Sequence, residues 1–106
     1  MPNILSVADG VGGWAEQGVD PAIYSKALCE NIGKLANDDF AKFGFDPKRL
    51  LIDSVANNHH TGSSTCVIAC LDQDRPHLKT VNLGDSGYML LRKNGMDLVK
   101  MFRSKE

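Results

Sequence analysis

A single carboxylate, Asp9, is delivered by a short apolar run into Val7-Ala8-Asp9-Gly10-Val11-Gly12-Gly13-Trp14, where glycines and an aromatic follow it at once. Such a stretch can present an acid to a metal ion or a phosphate, because glycine tolerates positive φ and lets a main-chain carbonyl come close to a ligand. Asp9 would offer a side-chain oxygen and Gly10 a main-chain one, and oxygen donors of this kind suit Mg²⁺ or Mn²⁺. The plainer reading is a turn after a strand, for which Asp-Gly is a common dipeptide. A second acid has the same setting: Asp85 lies in Val81-Asn82-Leu83-Gly84-Asp85-Ser86-Gly87-Tyr88, a glycine-flanked break between apolar runs. There too an aspartate can simply close a turn through its own backbone hydrogen bonds. Between the two acids, Gly62-Ser63-Ser64-Thr65-Cys66 leads with small residues into an apolar stretch.

Other candidates for chemistry are poorer. His59-His60 sits in an Asn/Thr/Gly-rich stretch, and adjacent histidines project in different directions, so a solvated loop is the better reading than a metal pair. Ser63, Ser64 and Ser86 lack an identifiable base, without which a serine hydroxyl is a weak nucleophile. Trp14 either covers the glycine turn or anchors packing, given the area an indole buries. The three cysteines, Cys29, Cys66 and Cys70, show neither zinc nor disulfide spacing and read as small core residues in a reducing compartment.

The elements that must position these residues can be read from patterning. Residues 4–8 form a short apolar strand ending at the glycine turn. Asp20-Pro21 supplies an N-cap followed by proline at the first helical position, and Tyr24, Leu28, Ile32 and Leu35 recur at helical spacing. This helix runs into the mid-thirties, with Asn37-Asp38-Asp39 interrupting it before Phe40-Ala41-Lys42-Phe43-Gly44. Asp46-Pro47 repeats the cap, and Leu50, Leu51, Ser54 and Val55 make the inner edge of a second helix that stops near Asn57-Asn58. Residues 65–71 are almost continuously apolar, which predicts a strand covered on both faces. After a turn at 72–76, residues 78–83 and 88–92 are expected to pair as antiparallel neighbours, and Lys93-Asn94-Gly95 to turn into a last strand at 96–101. Helices inserted between antiparallel strands make an α+β fold.

Composition bounds the rest. At 106 residues, 42% hydrophobic and 24% charged, the chain has room for one domain, 1–106, with a modest core. Its 12 basic and 13 acidic residues leave a net charge of -1, so electrostatics make no case for nucleic acid or an anionic membrane. No apolar run is long enough for a membrane span.

The three motifs, in this order, resemble the Asp-Gly-x-Gly-Gly, Gly-Ser-[small]-[small] and Gly-Asp-Ser elements of the PPM-type (type 2C) metal-dependent serine/threonine protein phosphatases. Gly12-Gly13-Trp14, Gly18-Val19-Asp20-Pro21 and Asn82-Leu83-Gly84-Asp85-Ser86-Gly87 look most like the branch of the T-cell activation phosphatase homologues. The resemblance implies part of a four-layer αββα sandwich of two antiparallel sheets with outer helices, incomplete in this chain. It implies hydrolysis of phosphoserine and phosphothreonine in a phosphoprotein substrate by a metal-activated water, with two or more Mg²⁺ or Mn²⁺ ions in the complete domain. By the same resemblance Asp9 bridges two ions, Gly10 lends its carbonyl to one, and Asp85 serves a further, weaker ion. An intracellular and, for that branch, mitochondrial location follows, with no targeting segment in this chain.

The departures from the family pattern define the alternative. Val11 occupies the position where the family commonly has a histidine proposed to protonate the leaving alcohol, and an isopropyl group holds no transferable proton. The family's phosphate-gripping arginine, its upstream acidic pair and its downstream acids have no counterpart in the chain. Residues 1–106 are thus expected to be a partial phosphatase domain that binds metal weakly and turns over little by itself. The alternative is a non-catalytic phosphatase-like module that binds a protein partner.

Overall fold

The structure, a computed structural model, describes residues 3–72, 74, 75 and 77–104. Of the turn expected at 72–76, Gln73 and Pro76 lie outside the described residues, as do Met1, Pro2, Lys105 and Glu106. Strand β1 (Ile4–Gly10) leads through a 3-10 segment (Gly12–Gln17) to helices α1 (Pro21–Asp38), α2 (Phe40–Phe43) and α3 (Pro47–Ala56). Strands β2 (Ser64–Leu71), β3 (Leu78–Leu83), β4 (Met89–Asn94) and β5 (Asp97–Arg103) follow.

Capping sets the helix starts as the sequence predicts. The Asp20 carboxylate accepts from the Ala22 amide at 3.0 Å ahead of Pro21, and the Asp46 carboxylate accepts from the Arg49 amide at 3.1 Å ahead of Pro47. Each satisfies an amide the first helical turn would leave unpaired, an effect of about 1 kcal/mol. Asp39 does the same for the Lys42 amide at the start of α2. The expected interruption falls at Asp39, which lies outside both helices and caps the start of α2, while Asn37 and Asp38 stay in α1.

Strands β1, β2 and β3 form one antiparallel sheet in that order, with Ile4 opposite Cys70, Asp9 opposite Thr65 and Ile68 opposite Val81. One face meets the helices: Cys66, Ile68 and Cys70 are buried against Leu28, Ile32, Ala36, Leu50 and Leu51, with Ile4, Ala8, Tyr24, Leu35 and Val81 packed around them. Val55, expected on the inner edge of α3, is instead exposed, and Cys29 is only half-buried. Register places Leu5, Val7, Asp9, Thr65, Val67 and Ala69 on the opposite face. That face is open at β1, where Leu5 and Val7 are 76% and 66% exposed. The double coverage expected of β2 holds for Cys66 through Ile68 and Cys70 but fails at its end, where Leu71 is exposed.

The expected pairing of 78–83 with the strand after it is overturned. Among the described residues β3 pairs with β2 alone, while β4 and β5 form a separate two-stranded sheet. Gly84, at φ 91°, breaks the chain away from β3. The hairpin turns at Gly95 (φ 62°), which takes up the left-handed conformation the tight turn requires, and then at Met96. Every residue of β4 and β5 is exposed. Tyr88 ties the base of the hairpin to the sheet through a 2.9 Å hydroxyl contact with Thr80, and its ring lies 5.6 Å from that of Phe102. The projecting hairpin makes the molecule long, 48 × 32 × 20 Å, with a radius of gyration of 15.2 Å against about 13 Å for a compact chain of this length.

Candidate functional site

Asp9 belongs to β1 itself, a correction to the turn expected there: the strand continues to Gly10 because Asp9 and Gly10 pair with Thr65 and Ser64. Alternation puts the Asp9 carboxylate on the open face with Leu5 and Val7. It is exposed, and among the described residues no hydrogen bond or ion pair engages it. Gly10 is required for a reason other than positive φ, which it does not adopt. A Cβ there would stand 2.2 Å from the carbonyl oxygen of Pro21, so the strand end and the first residue of α1 pass in direct contact. The same close packing fixes where the Gly10 main chain lies.

The segment after Gly10 is pinned to the start of β2. The Val11 amide donates to the Ser63 carbonyl at 3.0 Å, and the Trp14 indole Nε1 donates to the Ser63 hydroxyl at 2.9 Å. Trp14 is the half-buried member of the otherwise exposed 3-10 segment, which Gly18 (φ 75°) closes. Trp14 thereby ties the loop that follows Asp9-Gly10 to the start of β2. Val11 remains 43% exposed.

Asp85 is exposed in the bend formed by Gly84 and Asp85. The bend seats on Thr65: a Cβ at Gly84 would stand 2.7 Å from Thr65 Cγ2, and the Thr65 hydroxyl lies 2.8 Å from the Ser86 hydroxyl. The same Thr65 hydroxyl reaches the main-chain oxygen of Asp9 at 3.5 Å. The Asn82 side-chain amide donates to the Ser86 carbonyl, closing the turn from below. A cleft of about 380 Å³ separates the open face at Leu5, Val7, Val67 and Ala69 from Gly87 and Tyr88.

The structure therefore brings the segments of Asp9, Gly10 and Asp85 to one end of the sheet, with Thr65 between them. Thr65 is the candidate that sequence reasoning missed, and Ser63, weighed there only as a nucleophile, is instead a hydrogen-bond anchor; the signal for both was the run of small polar residues Gly62-Ser63-Ser64-Thr65. His59 and His60 lie exposed in a loop, and Ser64 turns its hydroxyl to the Thr65 carbonyl. Cys66 and Cys70 are walled into the core, where burial raises both thiols to about 11, the nearby Cys29 adding to the rise at Cys66.

Among the described residues, no three His, Cys, Asp or Glu side chains converge tightly enough to hold a metal ion. What is present still suits a hard divalent cation as a partial set. Mg²⁺ keeps several waters and is commonly held through one or two carboxylates, and the Asp9 carboxylate is exposed and unengaged among the described residues. No helix among the described residues is long and apolar enough to cross a membrane.

No family model matches the chain. Over 90 residues it is 44% identical to the probable protein phosphatase 2C 55 of Arabidopsis thaliana, covering 84% of this chain and 18% of that protein. It is 40% identical over 94 residues to the protein phosphatase PTC7 homolog fig of Drosophila grimshawi, covering 83% of this chain and 30% of that protein. The X-ray structure of the photosystem II phosphatase PBCP superposes with a TM-score of 0.81 at 34% identity, over 95% of this chain and 37% of that one. The chain spans well under half the length of each of these relatives.

Proposed function

We propose that this chain, a type 2C protein phosphatase stretch by sequence and by fold, contributes the first metal-ligand aspartate of an enzyme that hydrolyses phosphoserine and phosphothreonine in proteins. The observation that carries the reading is the Asp9 carboxylate, unengaged and exposed at the end of β1, next to a glycine whose packing against Pro21 fixes the neighbouring main chain.

Mg²⁺ or Mn²⁺, when bound, would supply charge neutralisation for the phosphoryl oxygens and a water of lowered pKa. Asp9 would hold that cation through a carboxylate oxygen and Gly10 through its carbonyl, while Asp85 would offer a carboxylate to a further ion from the bend seated on Thr65. Val11 has no proton to give, so the leaving alcohol would take its proton from water or from another residue. An intracellular site of action, mitochondrial by the resemblance of the motifs, belongs to the same proposal.

The test is dephosphorylation of a phosphothreonine peptide by the full-length protein, with and without Mn²⁺, comparing wild type with Asp9→Asn. The expected result is metal-dependent turnover that falls by about a hundredfold or more in the variant, since removing a metal-holding carboxylate withdraws several kcal/mol of transition-state stabilisation. Turnover indifferent to both metal and Asp9 would overturn the reading. Val11 favours a second one, a phosphatase-like module without catalysis that binds a protein partner, and complete silence from a folded wild-type protein would support it.

A further inference from the structure

The geometry points to Thr65 and Ser86 as a positioning pair whose hydroxyl–hydroxyl hydrogen bond holds the Asp85 bend in register with the strand end that carries Asp9. The inference rests on the metal-centre reading above and adds to it residues that touch neither metal nor substrate.

Three observations converge on Thr65. It is the cross-strand partner of Asp9, so its side chain emerges on the same face of the sheet. Its hydroxyl lies 2.8 Å from Ser86 Oγ and 3.5 Å from the Asp9 carbonyl, which places one side chain in reach of both acid-bearing segments. Its methyl group supports the bend sterically, because at Gly84 even a Cβ would come within 2.7 Å of it. Asp85 is held between these two contacts, with Gly84 resting on the Thr65 methyl and Ser86 bonded to the Thr65 hydroxyl. The donation from Asn82 to the Ser86 carbonyl fixes the far side of the turn. An exposed carboxylate on a free loop would wander, whereas here its backbone is tied on both sides to a central strand. Groups that orient a ligand in this way commonly change metal affinity by tenfold or more when removed.

The test uses the full-length protein and Mn²⁺ titration by calorimetry without substrate, well below the unfolding temperature. Thr65→Val keeps the shape and the strand preference while deleting the hydroxyl, Ser86→Ala deletes its partner, and Thr65→Ser restores a hydroxyl. The expected result is Mn²⁺ binding about tenfold weaker in Thr65→Val and in Ser86→Ala, no further loss in the double variant, and partial recovery in Thr65→Ser, which restores the hydroxyl but lacks the methyl under Gly84. A role confined to stability would lower the unfolding temperature without moving the affinity of the folded protein. If Asp9→Asn and Asp85→Asn weaken Mn²⁺ binding while Thr65→Val and Ser86→Ala leave it at the wild-type value, the positioning inference falls and the metal centre stands. If Asp9→Asn and Asp85→Asn also bind like wild type, the metal-centre reading falls and takes the inference with it.

Discussion

The indole Nε1 of Trp14 donates a 2.9 Å hydrogen bond to the hydroxyl of Ser63, a residue 49 positions away in sequence. The Val11 amide donates to the carbonyl of the same serine, so Ser63 holds the loop that follows Asp9-Gly10 from two directions. Trp14→Phe and Ser63→Ala should each destabilise the protein by about 1 kcal/mol, the usual net value of one such bond. Because the two changes remove one interaction, the double variant should cost markedly less than the sum of the two. Denaturant unfolding of the four proteins checks this, and strictly additive losses would mean that the bond contributes nothing.

Gly10→Ala should destabilise by about 1–3 kcal/mol or more, because the new methyl meets the Pro21 carbonyl, which is backbone and cannot rotate away. Gly12 provides the control, since nothing lies within 4 Å of a Cβ built there and its φ is not positive. Gly12→Ala should stay within about 0.5 kcal/mol of wild type. Thermal unfolding of the two variants side by side separates close packing from a general intolerance of the glycine-rich loop.

The thiols of Cys66 and Cys70 are raised from the ordinary 9.0 to about 11, in both cases chiefly by burial. At Cys70 the nearby Asp46 adds to the rise and Lys79 opposes it. The folded state holds these protons more tightly than the unfolded chain. Their contribution to stability is therefore complete below pH 9.0 and is lost as the pH rises through about 11. Unfolding followed across that alkaline window should show the decline, and it should be smaller in a Cys66→Ala, Cys70→Ala variant. In the folded protein near neutral pH, iodoacetamide should spare both residues until denaturant is added.

Ser54 is fully buried, and its hydroxyl has no hydrogen-bond partner among the described residues. A buried hydroxyl left unmatched costs desolvation without return. Ser54→Ala should be neutral or stabilise by about 1 kcal/mol, read as a rise in unfolding temperature. A clear loss of stability would show that the hydroxyl has a partner after all.

The helices were legible because their starts are chemically local. Asp20-Pro21 and Asp46-Pro47 each carry a cap and a preset φ within adjacent residues, and the observed helices begin at those prolines. The motif around Asp9 was legible for the same reason, as a residue type among glycines. Strand partnership was not, because patterning marks residues 78–83 and 88–92 as strands without saying which edge each will join. The answer depends on β2 offering its second edge to β3 and on Gly84 turning the chain out of the sheet. Thr65 was illegible as a positioning residue because a threonine near the start of a strand is ordinary in composition. Only the register that sets it against Asp9, and the return of the chain to Ser86, give it a particular place.

The placement of three helices between β1 and β2 also bears on how the chain reaches its structure. Asp9 and Thr65 are neighbours across the sheet yet stand 56 positions apart in sequence, and closing a loop of that length costs about 3–4 kcal/mol in chain entropy. The hairpin closed at Gly95 and the capped helices form from near neighbours and bear no such cost. Among the described residues β1 is moreover an edge strand, paired with β2 alone. Amide hydrogen exchange should therefore find β1 opening at lower free energy than the central strand β2, and equal protection of the two would refute this. The strand that presents Asp9 is thus costly to place in entropy and readier to detach than β2, so a contact that holds its far end contributes to kinetic persistence as well as to geometry.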